Sequence, residues 1–286
     1  MNSDRTVKRK KTYSVGAVFS AILKYIVLII SCTLVILPLI VIILGSLKGN
    51  ADFLGSPVFS LPKVYVWENY KTAFIDGNVL VGLKNTGIII VAACLGTIVT
   101  GTMTAFVIQR FKSLFTRGVK TLFLLAMLLP NISMQITVFQ IVYNLGLYNS
   151  LYAPIVLAIG TDIISIYIFM QFLSQISISL DESAIVDGAS YPRIYFSIIL
   201  PLLRPAIATV LIMKFVGIYN DFYTANLYMP EDDVVSTALY RFIGPFGSQW
   251  EIIFAGIIIC IIPTLIIFLA LQKQIYSGLV SGSVKE

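Results

Sequence analysis

The chain has 286 residues, of which 58% are apolar, 12% are charged and none is histidine. Soluble domains carry about 25% charged residues, so this composition excludes a soluble domain and indicates lipid as the solvent. The net charge of +6 does not predict nucleic-acid binding, because the basic residues lie at the ends of apolar runs rather than on a polar face. Three dispersed cysteines lack CxxC spacing, and neither a metal site nor a redox pair is predicted.

The first predicted elements are membrane spans. A hydrocarbon core of about 30 Å needs roughly 20 apolar residues in a helix, since lipid offers backbone groups no hydrogen-bond partners. Six stretches are long enough: Tyr25–Leu47, Thr86–Ile108, Lys120–Tyr143, Leu151–Phe172, Pro205–Ala225 and Ile252–Leu271. The sequence therefore predicts an all-α membrane protein, with residues 25–272 forming one domain of six transmembrane helices.

Basic residues set the predicted orientation, because lysine and arginine accumulate on the cytoplasmic side. The N-terminal tail, residues 1–24, is rich in both. Further basic residues on the same predicted side are Arg110, Lys112, Arg117, Arg193 and Arg204. The segment 48–84 is predicted to be external, although it carries four lysines. We expect the tails, residues 1–24 and 273–286, to be cytoplasmic in this multi-pass protein.

The longest predicted cytoplasmic segment, residues 173–204, has the features of two short helices. Ser179 and Glu182 have the spacing of a capping box that would start the first helix. The pair Asp187-Gly188 is typical of a turn, since glycine adopts backbone angles that other residues resist.

The second short helix is predicted to have Ser190 as its N-cap and Pro192 in its first turn. Ile194, Ile198 and Ile199 fall on one helical stripe. A simple connection needs neither caps nor an apolar stripe, so we expect an exposed apolar face that docks into a groove on another protein. A helix lying on the membrane surface is the alternative, and the acidic first helix disfavours it because the inner leaflet is anionic.

Two parts of this segment, Glu182–Gly188 and Ile198–Pro201, resemble the EAA loop of ATP-binding-cassette (ABC) importer permeases. Ser183 stands where the family commonly has alanine, and both residues are small. The resemblance implies the type I ABC importer permease fold, in which this loop is a cytoplasmic coupling helix that sits in a cleft of the ATPase subunit. The residues implied to couple to the ATPase are Glu182, Ser183, Ala184, Asp187, Gly188, Ile198, Leu200 and Pro201.

Further segments extend the resemblance to the shorter membrane subunit of maltose-type carbohydrate-uptake permeases. They are Trp67–Tyr70, Lys84–Thr86, Leu145–Ser150, Tyr219–Phe222 and Gly278–Lys285, with Tyr219 in place of a tryptophan. The resemblance implies an importer of oligosaccharides or other carbohydrates in a bacterial cytoplasmic membrane. It also implies partners: a second homologous permease, two ATPase subunits and an extracytoplasmic solute-binding protein.

ATP hydrolysis is predicted to take place in the ATPase partners and not in this chain. The sequence has no P-loop, nucleophile elbow or HExxH motif. We therefore expect a transport subunit that is not an enzyme and holds no cofactor or metal of its own, with ATP and Mg²⁺ bound by the ATPase subunits.

Polar residues within the predicted spans are candidates for the substrate path, because such residues usually face a cavity or the bundle interior. The candidates are Asn131, Gln135, Tyr219, Asn220 and Asp221. Hydrogen-bonding side chains with aromatic faces suit a sugar. The first two residues equally fit a role in helix packing, and Asn220 and Asp221 equally fit the outer end of helix five.

Two more charged residues lie within the predicted spans. Lys214 needs a partner or must extend to the interface. Asp162 is either that partner or the cap of the outer half of helix four. Pro130, Pro154 and Pro263 are predicted to kink helices.

Three other functions remain open from the sequence. The EAA loop occurs in importers of many solutes, so the cargo is alternatively an amino acid, a peptide or a phosphate-containing solute. An ion-coupled secondary transporter would favour inverted repeats and discontinuous helices; no repeat is evident, and the 173–204 segment would have no explanation. A passive scaffold predicts that this segment is dispensable.

Overall fold

The computed structural model describes residues 15–160, 162–244 and 247–283. These residues are largely helical. They contain fifteen α-helices, in this order: α1 (Val15–Ser46), α2 (Asn50–Gly55), α3 (Glu68–Ile75), α4 (Val79–Arg110), α5 (Leu114–Met127), α6 (Asn131–Asn144), α7 (Tyr152–Gly160), α8 (Ile163–Leu173), α9 (Ser179–Val186), α10 (Tyr191–Ile194), α11 (Leu200–Leu202), α12 (Arg204–Tyr219), α13 (Phe222–Tyr228), α14 (Val235–Ala238) and α15 (Trp250–Ser283).

Four short segments complete the secondary structure of the described residues. Tyr195–Ile199 is a π-helical turn that joins α10 to α11, and Leu239–Phe242 is a 3₁₀-helix after α14. Strands β1 (Ile243–Gly244) and β2 (Gly247–Ser248) form a two-residue antiparallel pair, with Ile243 opposite Ser248.

Three described helices are individually long and apolar enough to cross a membrane: α1, α4 and α15. Two more crossings result if each of two bent pairs counts as one span. The first pair is α7 with α8, and the second is the helix over 191–202 with α12, bent by 69°. The predicted helix over 151–172 is therefore interrupted after Gly160.

The predicted third helix, Lys120–Tyr143, is also two helices, α5 and α6. The break lies just before Pro130, which has φ −64° and ψ 124° and starts α6. A proline lacks the backbone N–H and restricts the residue before it to extended conformations, so the helix ends there. The predicted kink at Pro130 is thus a complete interruption.

Element boundaries differ from the predictions at both ends of the chain. The first helix begins at Val15, ten residues before the predicted Tyr25, and α15 continues through Ser283, past the predicted end at Leu271. Much of the predicted tails is therefore helical. Residues 1–14 and 284–286, including the end of the C-terminal resemblance, lie outside the described residues.

The predicted external segment, residues 48–84, is ordered around Lys48, whose exposed fraction is 2%. Its ammonium group donates hydrogen bonds to the Ser56 hydroxyl (2.9 Å), the Pro57 carbonyl (2.9 Å) and the Ser60 hydroxyl (3.0 Å). Three donors thus meet three acceptors, which offsets the desolvation of the charge. This lysine holds the chain around α2 and is not a topology signal.

A buried cluster joins α4, α8 and the helices that follow α9. Its fully buried members include Phe169, Leu173, Ile194, Ile199 and Leu203. Burying such a side chain contributes about 1.5–3 kcal/mol. The segment predicted to project from the membrane is therefore packed onto the helices before and after it.

Candidate functional site

The turn between α9 and α10 forms as predicted. Gly188 has φ +80°, a left-handed conformation that favours glycine. The Gly188 N–H donates to the Ile185 carbonyl and the Ala189 N–H donates to the Ala184 carbonyl, both at 2.9 Å. These two bonds are those of a Schellman motif, which satisfies the last carbonyls of a helix. The turn therefore ends α9 and redirects the chain into α10.

The predicted capping box at the start of α9 is wrong. Ile178 is the N-cap residue and the cap has no side-chain hydrogen bond. Its carbonyl instead accepts from the N–H groups of Asp181 and Glu182, and the Ser179 hydroxyl bonds the Ser177 hydroxyl. Backbone contacts inside the first turn thus replace the side-chain cap. Ser190 is the N-cap of α10, as predicted, but makes no side-chain cap bond.

The expectation of an outward apolar stripe is also wrong. Ile194 and Ile199 are completely buried, and Ile198 is partly buried against the same cluster. The stripe packs against α4 and α8 of this chain, since a helical period indicates a buried face without identifying what covers it. The apolar side chains that are exposed on α9 and just after its turn are instead Leu180, Ile185, Val186 and Tyr191.

The residues predicted to couple to an ATPase fall into two groups. Ala184 is buried, and Ile198 and Leu200 are partly buried in the chain's own cluster. The outward group consists of Glu182, Ser183, Asp187, Gly188 and Pro201. A partner protein can therefore reach an acidic, partly apolar surface on α9 and its turn. We call this surface the α9 face; it comprises residues 180, 182, 183 and 185–188.

The sequence did not indicate a partner for Asp181. This carboxylate forms an ion pair with the Arg110 guanidinium, and the two side chains have exposed fractions of only 8% and 7%. Asp181 therefore points away from the α9 face, although it is one of the residues that make the first short helix acidic. Both residues flank predicted spans, but no spacing rule joins positions 110 and 181.

The polar candidates for a substrate path do not converge. Tyr219 donates to the Cys260 carbonyl at 2.6 Å, Asn220 donates to the Val216 carbonyl of its own helix at 2.9 Å, and Gln135 accepts from the Tyr223 hydroxyl at 2.7 Å. The side chain of Asn131 lies outside the described part. Gln135 therefore links α6 to α13, in agreement with the predicted packing role.

Asp221 and its neighbours Tyr219 and Asn220 face different cavities. Tyr219 and Asn220 line a cavity of about 610 Å³ against α15. Asp221 lines another of about 390 Å³ between α4, α7, α8 and α12. Its carboxylate accepts from the Thr224 N–H at 2.9 Å and caps α13. Helix five therefore ends at Tyr219 and not at the predicted Ala225.

The second cavity also contains the predicted pair of Asp162 and Lys214, 2.9 Å apart. Asp162 accepts from the Ser165 N–H at 3.2 Å and so caps α8, while Lys214 donates to the Ala158 carbonyl at the end of α7. The carboxylate thus lies at a helix N-terminus and the ammonium at a helix C-terminus, where the helix dipoles favour each charge. The cap belongs to α8, the half that leads into residues 173–204, and not to the predicted outer half.

Together, these features define a helical membrane protein with cavities next to its broken helices and an exposed, partly apolar α9 face. Among the described residues, no cluster of histidine, cysteine or carboxylate side chains could hold a metal ion. The family model for the binding-protein-dependent transport system inner membrane component matches residues 97–280, more than half of the chain. The chain belongs to this family.

Individual relatives align over nearly the whole chain. The galactooligosaccharides transport system permease protein of Bacillus subtilis is 31% identical and the alignment covers 91% of this chain and 94% of that one. The trehalose/maltose transport system permease protein of Thermococcus litoralis is 32% identical, with 92% and 98% covered. A probable starch degradation products transport system permease protein of Thermoanaerobacterium thermosulfurigenes is 30% identical, with 87% and 91% covered.

A solved structure shares the fold. A chain from a bacterial ABC transporter involved in the import of the acidic polysaccharide alginate superposes with a TM-score of 0.80 at 21% sequence identity. The match covers 92% of this chain and 99% of that one. The predicted ABC importer permease fold is therefore confirmed.

Proposed function

We propose that this chain is the permease subunit of an ATP-driven importer of oligosaccharides or other carbohydrates, forming half of the translocation pathway. The relatives named for galactooligosaccharides and trehalose/maltose support the carbohydrate cargo. Membership of a binding-protein-dependent transport family supports a solute-binding protein as a partner. The proposed site is a bacterial cytoplasmic membrane, with both termini in the cytoplasm.

The α9 face carries the proposal that an ATPase drives this subunit. It combines exposed Val186, of which 86% is accessible, with the carboxylates of Glu182 and Asp187. An exposed apolar helix face with adjacent charges suits insertion into a groove of another protein. In this proposal Glu182 and Asp187 meet basic groups of the ATPase, and Gly188 permits the sharp turn that presents them.

Two ATPase subunits, carrying ATP and Mg²⁺, and a second homologous permease complete the proposed assembly. ATP-driven closure of the ATPase dimer would displace the α9 face and bias this subunit between two conformations. Asn131, Gln135, Tyr219, Asn220 and Asp221 stay candidates for the substrate path. Asn220, which is exposed at the end of α12, is the most accessible of those whose side chains are described.

Solute uptake by cells that carry Gly188→Arg tests the coupling. The arginine would occupy a left-handed position on the α9 face, where the cleft of the proposed ATPase partner has no room for it. We expect uptake of a radiolabelled carbohydrate to fall at least tenfold while the chain stays in the membrane. The matched control is Gly118→Arg, since a side chain at Gly118 would also meet open space but in an ordinary helical conformation.

A comparison of the uptake of several solutes identifies the cargo. Maltodextrins, raffinose-type sugars and amino acids are compared in cells with and without this chain. Loss of sugar uptake in cells without the chain supports the carbohydrate proposal, whereas loss of amino-acid uptake alone would contradict it. Unchanged uptake in Gly188→Arg cells, together with uptake by the purified chain in liposomes without an ATPase, would instead support a secondary transporter.

A further inference from the structure

Helix α9 has an inner side as well as the α9 face. Asp181 and Ala184, three positions apart, point inward, and as whole residues they are 6% and 9% exposed. Residues three apart lie on the same side of a helix. Force applied at the α9 face can therefore reach the rest of the subunit through these inward contacts, in addition to the backbone at the two ends of α9.

The inward contact of Asp181 is with the last turn of α4. Its partner, Arg110, also donates a hydrogen bond to the Ile176 carbonyl at 3.2 Å, just before α9. A guanidinium offers several donors in a fixed plane, which lets one side chain hold two acceptors in a defined geometry. Arg110 thus fixes both the entry to α9 and its first turn.

Two more side chains on the same side of α4 form hydrogen bonds with residues that precede and follow α9 in the chain. Thr102 shares a 2.7 Å hydrogen bond with the hydroxyl of Tyr195, which begins the π-helical turn. Gln109 donates to the Met170 carbonyl of α8 at 2.9 Å. Positions 102, 109 and 110 follow the helical repeat. Polar contacts in buried surroundings are directional, so α4 holds the residues before, within and after α9 in one register.

The other end of α4 is attached to Asp233 and to Val235, the first residue of α14. Asn85 donates to the Asp233 carbonyl at 2.9 Å, and the Thr86 hydroxyl accepts from the Val235 N–H at 3.0 Å. With 32 residues, α4 is about 48 Å long at 1.5 Å per residue. One continuous helix therefore connects the α9 region with residues 233–235.

We propose that Arg110 is a positioning residue for transport: its buried pair with Asp181 makes α9 and α4 move as one body. Displacement of the α9 face then reaches the loop at residues 233–235 through α4. This inference rests on the proposed coupling of the α9 face to an ATPase. It adds the path by which movement leaves α9, which neither the family nor its relatives' names assign.

The test uses the assembled transporter, purified from its source organism through a tag on this chain and reconstituted in liposomes. Carbohydrate uptake and ATP hydrolysis are measured together, so that the number of solutes moved per ATP is known. We expect Arg110→Met to lower this ratio at least tenfold while the ATPase remains associated. Arg110→Lys keeps the charge but not the planar set of donors, so its ratio of solutes moved per ATP should lie between those of Arg110→Met and wild type.

The control is Arg117→Met, which removes an exposed arginine from the same predicted side of the membrane and should leave the ratio within twofold of wild type. The double variant Arg110→Met/Asp181→Asn removes both charges and leaves no unpaired ion. If the pair serves only to neutralise charge, this variant recovers coupling, and the inference fails. If the pair transmits movement, the variant assembles and hydrolyses ATP but stays uncoupled.

Failure of this inference is distinguishable from failure of the proposed function. If Gly188→Arg abolishes uptake while both Arg110→Met and the double variant keep the wild-type ratio, docking stands and the Arg110 path is wrong. If Gly188→Arg itself leaves uptake unchanged, the proposed docking function fails first.

Discussion

At the scale of single residues, a buried ion pair holds two charged side chains in place within the membrane domain. Asp162 and Lys214 are 11% and 16% exposed as side chains and pair across a helix break. Each also bonds a helix end, through the Ser165 N–H and the Ala158 carbonyl. The pair therefore replaces backbone hydrogen bonds that the interruption between α7 and α8 leaves unmade.

Replacing one member of the Asp162–Lys214 pair should destabilise the subunit more than replacing both. We expect Lys214→Met to destabilise the subunit by about 3 kcal/mol, because one partner of a buried pair leaves the other charge uncompensated. The double variant Lys214→Met/Asp162→Asn should be less destabilised, since asparagine still caps α8 without a charge. Thermal unfolding in detergent measures the difference, with Lys84→Met at an exposed position as control. Equal melting temperatures for the single and double variants would show that the charges are not coupled.

At the scale of elements, the sequence predicted which segments are helical better than what the helices contact. The stripe of Ile194, Ile198 and Ile199 correctly indicated a helix with one apolar side. Whether such a side faces a partner or the chain's own core depends on tertiary packing, which a period does not contain. The structure buries the stripe and leaves Val186 outside.

The predicted turn at Gly188 is present, whereas the predicted capping box of Ser179 and Glu182 is not, and the difference lies in how local each signal is. Gly188 was identifiable because a left-handed turn excludes most other residues. Ser179 and Glu182 match a capping box in spacing, but Asp181 between them pairs with Arg110. That contact with a helix distant in sequence sets how α9 begins. Local signals are thus reliable where the backbone conformation itself restricts the residue type.

Replacing Gly188 with small residues separates backbone strain from steric exclusion by a partner. A side chain at this position meets open space within the subunit, but φ +80° costs alanine about 1–2 kcal/mol. Asparagine tolerates this conformation better. We therefore expect Gly188→Asn to retain more of the subunit's thermal stability than Gly188→Ala, as measured by unfolding in detergent. The reverse order would mean that the turn changes conformation when the glycine is replaced.

Uptake by the same two variants then reports on the partner. A cleft that closely surrounds the turn should exclude the larger asparagine more than alanine, so stability and uptake should rank the variants in opposite orders. The same order in both measurements would show that backbone strain alone limits function at this turn.

At the scale of the whole molecule, the number of membrane crossings depends on the broken helices. Helices α5 and α6 have 14 residues each, about 21 Å at 1.5 Å per residue, and neither alone reaches across a core of about 30 Å. The pair must cross as one interrupted span for the six-helix topology to hold. Composition predicted this crossing, whereas the break at Pro130 follows from backbone restrictions at proline.

Labelling with a membrane-impermeant maleimide tests this crossing. In a background without the native cysteines, Arg117→Cys reports the start of α5 and Leu145→Cys the residue after α6; both positions are exposed. We expect label on Leu145→Cys in intact cells, and on Arg117→Cys only after the membrane is opened. Arg193→Cys, at an exposed position outside the α9 face, and Asp232→Cys serve as references for the two sides, since the proposed orientation places residues 173–204 inside and the 229–234 loop outside. Equal labelling of positions 117 and 145 in intact cells would make α5 and α6 a re-entrant pair. The chain would then cross the membrane an odd number of times, and the two termini would lie on opposite sides.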